Sequence, residues 1–195
     1  SWACALTAAV LRAACGSLPS GRPVEERGAA GPAAATPPGP LATAPRRGAY
    51  YKDDGPGDNP PDLAAIAEPE PRVEPLARAA NNPYNVFGVN YVPLRSLTPF
   101  TQRGTGSWYG RRFQGQRTSS GEPYDMYGMT AAHKTLPMPS YARVTNLVNG
   151  RSVIVRVNDR GPFLSGRIIY RSYTAAWKLG YAEAGSTSLQ VELLT

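Results

Sequence analysis

The stretch "YARVTNLVNGRSVIVRVNDRG", residues 141–161, decides the architecture. Two β-rich runs flank Asn149-Gly150, the pair preferred in a type I′ turn, so the stretch predicts a β-hairpin. In the second run Val153, Val155 and Val157 share one face while Ile154 and Arg156 share the other, the period of a strand with one buried side. Toward the C-terminus "GRIIY" (166–170) is a further short strand. "SYTAAWKLG" (172–180) is a short helix, with Ser172 as N-cap and Gly180 just past its end. "SLQVELL" (188–194) alternates Leu189, Val191 and Leu193 and closes the chain as a strand. Toward the N-terminus "TGSWYG" (105–110) reads as another strand. About six short strands and one helix within residues 104–195 predict a mainly β domain built as a small closed barrel.

The chain before the barrel has a different texture. Trp2 to Leu11 is mostly apolar and too short to span a bilayer, like the apolar region of a secretory signal. "LRAAC" (11–15) resembles a bacterial lipobox and makes Cys15 the expected lipid anchor, with Arg12 where an aliphatic residue is usual. Residues 16–48 are mostly Ala, Pro, Gly and Ser, too poor in large apolar side chains to offset their ordering entropy, and are expected to form a disordered tether. Residues 49–103 read as a proline-rich arm in which long helices or strands are disfavoured. Within it "NNPYNVFGVNYVPL" (81–94) regains an alternating pattern, as a short hairpin or an extended arm on the domain.

Charge and residue inventory narrow the chemistry. The net charge is +7, and residues 100–195 carry all of it, with twelve Lys/Arg against five Asp/Glu. Such a surface suits an anionic polymer or membrane. The basic residues are scattered singly rather than in a run, which argues against nucleic acid. The two cysteines are Cys4 and Cys15, so the folded part has neither a disulfide nor a cysteine nucleophile. One histidine and few acids give no credible metal site, and no phosphate loop, dinucleotide fingerprint or Gly-x-Ser-x-Gly turn occurs, so no cofactor is expected.

Carboxylate chemistry remains. Glu183 and Glu192 read as surface residues, which leaves Glu122, Asp125 and Asp159, with His133 as a neighbour. Asp159 follows the valine-rich strand, and a rigid strand ending in a polar turn is a good mount for a catalytic group. An Asx turn or a pair with Arg160 is its bland alternative, as a solvated loop is for Glu122 and Asp125 and a satisfied hydrogen bond for His133. Trp108 and Tyr109 are candidates for stacking on a sugar face, with barrel core as the alternative use. Arg160 is the remaining candidate for substrate contact.

"GSWYG", "GQRTSSGEPYDM", "TAAHKTLPMPSYARVTNLVNGRSVIVRVNDRGPF" and "GRII…SYTAAWKLG" resemble the rare lipoprotein A family, in order, from about Gly48 to Thr195. The resemblance implies a six-stranded double-psi β-barrel. It also implies a monomeric periplasmic lipoprotein, held to a membrane through its lipid and acting on peptidoglycan as a lytic transglycosylase. The family's Gly-Glu-x-x-Asp segment falls on Glu122 and Asp125, its histidine on His133, and the aspartate of its Asn-Asp-Arg-Gly-Pro turn on Asp159. On this reading Asp159 is the acid/base, Glu122 its rival, and Asp125 and His133 orient the sugar. Many relatives carry Asp-Leu-Ser before the helix, where this chain has Tyr170-Arg171-Ser172, and that tyrosine favours the competing expectation of a non-catalytic, expansin-like glycan-binding module. Many relatives also continue into a glycan-binding module that targets division septa, so septal targeting is not part of the expectation here.

Overall fold

A computed structural model describes residues 55–195. The signal-like segment, Cys15 and the tether expected over 16–48 lie outside the described residues. The arm contributes a two-stranded hairpin, β1 (Tyr84–Val86) and β2 (Val89–Tyr91). The barrel strands follow as β3 (Thr101–Trp108), β4 (Thr130–His133), β5 (Ser140–Asn146), β6 (Ser152–Asp159), β7 (Arg167–Arg171) and β8 (Ser186–Leu194), with helix α1 (Tyr173–Lys178) before the last strand.

The six strands close into one barrel in the order β3-β7-β4-β6-β5-β8. Two neighbouring pairs, β3 with β7 and β4 with β6, are parallel, and the other four contacts are antiparallel. Each parallel pair carries a register shift, at Thr105/Gly106 and at Ala131/Ala132. This is the double-psi barrel. The inward faces follow the period-two pattern: Val153, Val155 and Val157 from β6 and Leu189, Val191 and Leu193 from β8 are buried, with Ala142 and Val144 from β5. Gly106 sits where β3 meets this core, since a Cβ there would stand 2.3 Å from Leu189 Cδ1 and 2.7 Å from Arg171 Nη2. The Arg171 guanidinium is fully buried inside the barrel, donating to the Tyr181 hydroxyl at 2.6 Å and to the Ser107 carbonyl at 3.1 Å.

One local expectation needs correction. The β5–β6 connection is not a two-residue type I′ turn. Asn146 N–H bonds to the Arg151 carbonyl across a four-residue loop, and only Gly150 has positive φ (+74°). A tertiary contact selects this geometry, because Asn146 and Asn149 both donate to the Leu179 carbonyl at the end of α1. Strand β4, Thr130–His133, for which the sequence gives no expectation, lies in the barrel wall between β6 and β7. The helix caps are as expected: Ser172 Oγ accepts from Ala175 N–H, and Gly180 follows the helix with φ +75°.

The arm lies along the barrel and is held by polar contacts. Glu74 receives two hydrogen bonds of 2.9 Å from Arg156 and one from the Tyr141 hydroxyl. Glu68 accepts from the Ile154 amide, and Asn81 exchanges hydrogen bonds with the main chain of Met138.

Candidate active site

Strand β6 ends at Asp159, and the chain then turns through Arg160, Gly161 and Pro162. A loop from β3 to β4 folds over this end. Ser120 N–H bonds to the Asn158 carbonyl, and Ser119 gives its N–H (2.8 Å) and its hydroxyl (2.7 Å) to Asp159 Oδ1. Arg160 N–H adds a third donor to the same oxygen at 2.8 Å. Asp159 Oδ2 takes part in none of these bonds. Asp159 therefore has one oxygen fixed and one available, at the mouth of a cleft of about 280 Å³. That is just below the usual range for ligand sites, roughly 300–1,000 Å³.

The cleft walls are aromatic. Tyr109, Phe113, Tyr124, Phe163 and Tyr170 line the cleft. Tyr109 packs against Tyr124 (ring centroids 4.3 Å), Phe113 (5.8 Å) and Tyr170 (6.0 Å). Its hydroxyl is buried and has no hydrogen-bond partner among the described residues. Burial raises the phenol well above its ordinary pKa, and the negative charge of Asp159 adds to the shift, so Tyr109 stays a neutral donor beside the carboxylate. Among the residues lining the cleft, Asp159 is the one carboxylate.

Of the expected site residues, Asp159, Tyr109 and Arg160 line the cleft, and Glu122, Asp125, His133 and Trp108 do not. Glu122 is held by Arg156 Nη1 at 2.7 and 2.9 Å and by Asn158 Nδ2 at 2.9 Å. Burial pushes its carboxyl up, but the hydrogen bonds from Arg156 and Asn158 and the arginine's charge outweigh it, and the net pKa is lowered. A carboxylate held ionised is a poor proton donor. Glu122 instead fastens the loop that brings Ser119 to Asp159. Asp125 is exposed and closes a turn, accepting from Tyr127 N–H at 3.0 Å and from Gln114 Nε2 at 3.2 Å.

His133 is buried and does not line the cleft. Its ring is 1% exposed. Nδ1 accepts the N–H groups of Thr135 (3.1 Å) and Leu136 (3.0 Å), so the proton is on Nε2, which donates to Gln102 Oε1 at 3.0 Å. Burial, with the positive charges of Arg160 and Lys134, lowers its pKa to about 3. Trp108 turns to α1, with Nε1–H on the Ala182 carbonyl at 3.0 Å and its ring edge-on to Tyr173. Arg160 lines the cleft, but its five N–H donors are engaged by the carbonyls of Ala80, His133 and Leu136 and by Asn81 Oδ1. It ties the arm to the barrel and leaves no donor for a sugar. Sequence reasoning missed Ser119, Phe113 and Phe163. Ser119 in "TSSGEP" carries no local mark of its role, because its partner is forty residues away in the chain. Among the described residues no three His, Cys, Asp or Glu side chains group as a metal site requires.

A family model described as "Lytic transglycolase" matches residues 101–191. The endolytic peptidoglycan transglycosylase RlpA of Vibrio cholerae is 50% identical over 143 residues, covering 73% of this chain and 54% of that protein. The protein of the same name from Pseudomonas aeruginosa (strain UCBPP-PA14) is 48% identical over 185 residues, 95% of this chain and 50% of that one. That of Neisseria meningitidis serogroup A is 55% identical over 128 residues, 66% of this chain and 54% of that one. The chain spans about half the length of the curated relatives it matches.

Proposed function

The chain belongs to the rare lipoprotein A family, and from that premise we propose that its barrel is a lytic transglycosylase of peptidoglycan. The substrate is the glycan strand, with peptide-poor strands preferred, and the bond cut is the β-1,4 link from N-acetylmuramic acid to N-acetylglucosamine. The observation that carries this reading is the single carboxylate in an aromatic-walled cleft. A glycoside hydrolase generally needs two carboxyl groups, one as acid and one to activate water or attack the sugar. A lytic transglycosylase needs one, because the substrate brings its own nucleophile.

Asp159 performs both proton transfers in this mechanism. Protonated on Oδ2, it gives its proton to the glycosidic oxygen as the bond from C1 breaks and the ring gains oxocarbenium character. The carboxylate then takes the proton of the C6 hydroxyl as O6 bonds to C1. The products are a 1,6-anhydro-N-acetylmuramic acid end and a new N-acetylglucosamine 4-hydroxyl, and Asp159 ends as it began, protonated. Ser119 and the Arg160 amide hold Oδ1 and leave Oδ2 to face the sugar. Tyr170, half-buried in the cleft wall and backed by Tyr109, supplies a ring face and a hydroxyl group to the bound strand.

Asp159→Asn should keep the fold and lower turnover on purified glycan strands by about 10²–10⁴-fold, the usual worth of general acid/base help. Mass analysis of the wild-type digest should find anhydro ends, lighter by one water than reducing ends. Reducing ends, or a fully active Asp159→Asn variant, would refute the mechanism. Tyr170 in the cleft favours one other reading, a barrel that binds glycan without cutting it. Binding without cleavage by the wild type would decide for that.

The lipobox-like segment supports a lipid on Cys15 and a protein held by it to a membrane of the bacterial periplasm. Cys15→Ser should move the protein to the soluble periplasmic fraction, and unchanged fractionation would oppose the anchor.

A further inference from the structure

The hairpin β1–β2 stands at the Phe163 lip of the cleft. Its register, Tyr84 opposite Tyr91 and Val86 opposite Val89, puts these four side chains on one face and the paired Asn85 and Asn90 on the other. The inner half of the apolar face is covered. Tyr84 and Tyr91 stack (5.1 Å, 21°) and both pack on Phe163, at 6.0 and 5.6 Å. The Tyr84 hydroxyl anchors the base of the hairpin on the Lys134 carbonyl at 2.8 Å. Farther out, Val86 is half-buried, but its partner Val89 is 50% exposed and Phe87, in the turn beyond them, 90% exposed.

The turn adds a second anomaly. Phe87 (φ 51°) and Gly88 (φ 79°) both lie in the left-handed region, as a type I′ turn requires. Asparagine or glycine fits the first of these positions. A bulky side chain there costs roughly 1–2 kcal/mol. The turn needs this conformation but not this residue: a phenylalanine strains the backbone there and exposes its ring to water. Strain of this kind is found where function requires it.

We propose that this hairpin is an outer subsite for the glycan strand, with Phe87 and Val89 receiving sugar faces as the strand leaves the cleft past Phe163. The inference rests on the reading of the cleft as a glycan site. Continuity supports it, since Phe163 lines the cleft and also seats the hairpin. Phe87 lies three residues beyond Tyr84, about 10 Å along the strand, in reach of the next sugars of a bound polymer. The chemistry also fits. Residues 82–92, "NPYNVFGVNYV", contain no charged side chain. A tip built to enter a lipid surface generally brings Lys or Arg to the headgroups. This one instead offers apolar and aromatic faces for sugar C–H groups.

Phe87→Asn is the informative variant, because asparagine suits the type I′ position and the hairpin is retained. On long peptide-free glycan strands it should raise KM roughly three- to tenfold, the scale of one aromatic contact, with kcat unchanged. On the shortest oligosaccharide that is cleaved it should match the wild type. Equal activity on long strands, or an equal loss on short ones, would overturn the proposal. Binding of the same long strands by the Asp159→Asn protein, with and without Phe87→Asn, separates this subsite from the catalytic reading. Weaker binding in the double variant supports the subsite even if the wild type cleaves nothing. Unchanged binding refutes the subsite while leaving transglycosylase activity standing. A Phe87→Asn protein that keeps its glycan affinity but loses binding to phosphatidylcholine vesicles would identify the tip as a lipid contact and overturn the proposal.

Discussion

Replacing His133 distinguishes a structural ring from a catalytic one. The alanine variant removes a buried ring and leaves the Thr135 and Leu136 amides without their acceptor. The cavity costs roughly 2 kcal/mol or more, and each orphaned amide roughly 1–3 kcal/mol. The sum, about 4 kcal/mol or more, is a large part of the 5–15 kcal/mol that holds a typical domain together. His133→Asn is gentler, since its side-chain oxygen can replace Nδ1 as the acceptor. The two variants also differ from the wild type in titration. A histidine whose pKa falls from 6.5 to about 3 on folding binds its proton more readily in the unfolded chain. Stability contributed by this group is therefore complete above pH 6.5 and is lost as pH falls toward 3. Between about pH 7 and pH 5 the wild type should lose about 2 kcal/mol, and His133→Asn almost none. The carboxylates with lowered pKa, Glu74 and Glu122, start from 4.5 and act below this window. Urea unfolding at the two pH values, followed by tryptophan fluorescence, reads the difference, and turnover per folded molecule completes the assay. A His133→Asn protein that is as stable as the wild type at neutral pH but about a hundredfold slower would place the ring in the chemistry and refute this account.

Two further outcomes follow from packing and charge. Hydrogen bonds from Arg156, together with one from Tyr141 and the charges of Arg156 and Arg72, outweigh the opposing effect of burial and hold Glu74 at a pKa of about 2, so its stabilisation is present above 4.5 and is lost as pH falls through about 2. Glu74→Gln should cost about 1–3 kcal/mol and raise hydrogen exchange at the amides of Ala77 and Leu94, which bond across to the barrel; unchanged exchange would show that the arm does not depend on this contact. Gly106→Ala should lower the thermal midpoint by the equivalent of about 1–3 kcal/mol, because its Cβ meets Leu189 and Arg171 well inside contact distance, and a wild-type midpoint would mean that the core yields there more easily than close packing allows.

The barrel was largely legible because its strongest strands carry their own pattern. Val153, Val155 and Val157 alternate with half-exposed neighbours, and Leu189, Val191 and Leu193 do the same. A period-two pattern over several residues needs no distant partner to be read. Strand β4 gave no such signal. Its sequence, Thr-Ala-Ala-His, has little β propensity, and its last three residues are all buried. It is a strand because β6 and β7 flank it, a parallel and an antiparallel neighbour brought from later in the chain. The Asn149-Gly150 turn was misread for the same reason: the amides of Asn146 and Asn149 are claimed by the end of α1, which a local rule for turns does not contain.

The candidate site divides along that line. Asp159 was legible because its place depends on its own strand, and a strand end aims its side chain whatever is packed nearby. Glu122, His133, Trp108 and Arg160 have the right chemistry in composition, but each is committed to a partner the sequence does not announce: Arg156, Gln102, Ala182 and the carbonyls of Ala80 and Leu136. For Glu122 the commitment has a chemical consequence. Were it free in the cleft, two carboxyl groups would be available there and water could be activated as in a hydrolase. Paired with Arg156 and Asn158, it is kept ionised and out of the cleft, while the loop it fastens places Ser119 on Asp159. Neutralising Glu122 as Gln should therefore slow the reaction through Asp159 and leave the anhydro product unchanged. A switch to reducing ends, or undiminished turnover in Glu122→Gln, would refute the two roles: one residue that moves the proton and one that holds its loop in place.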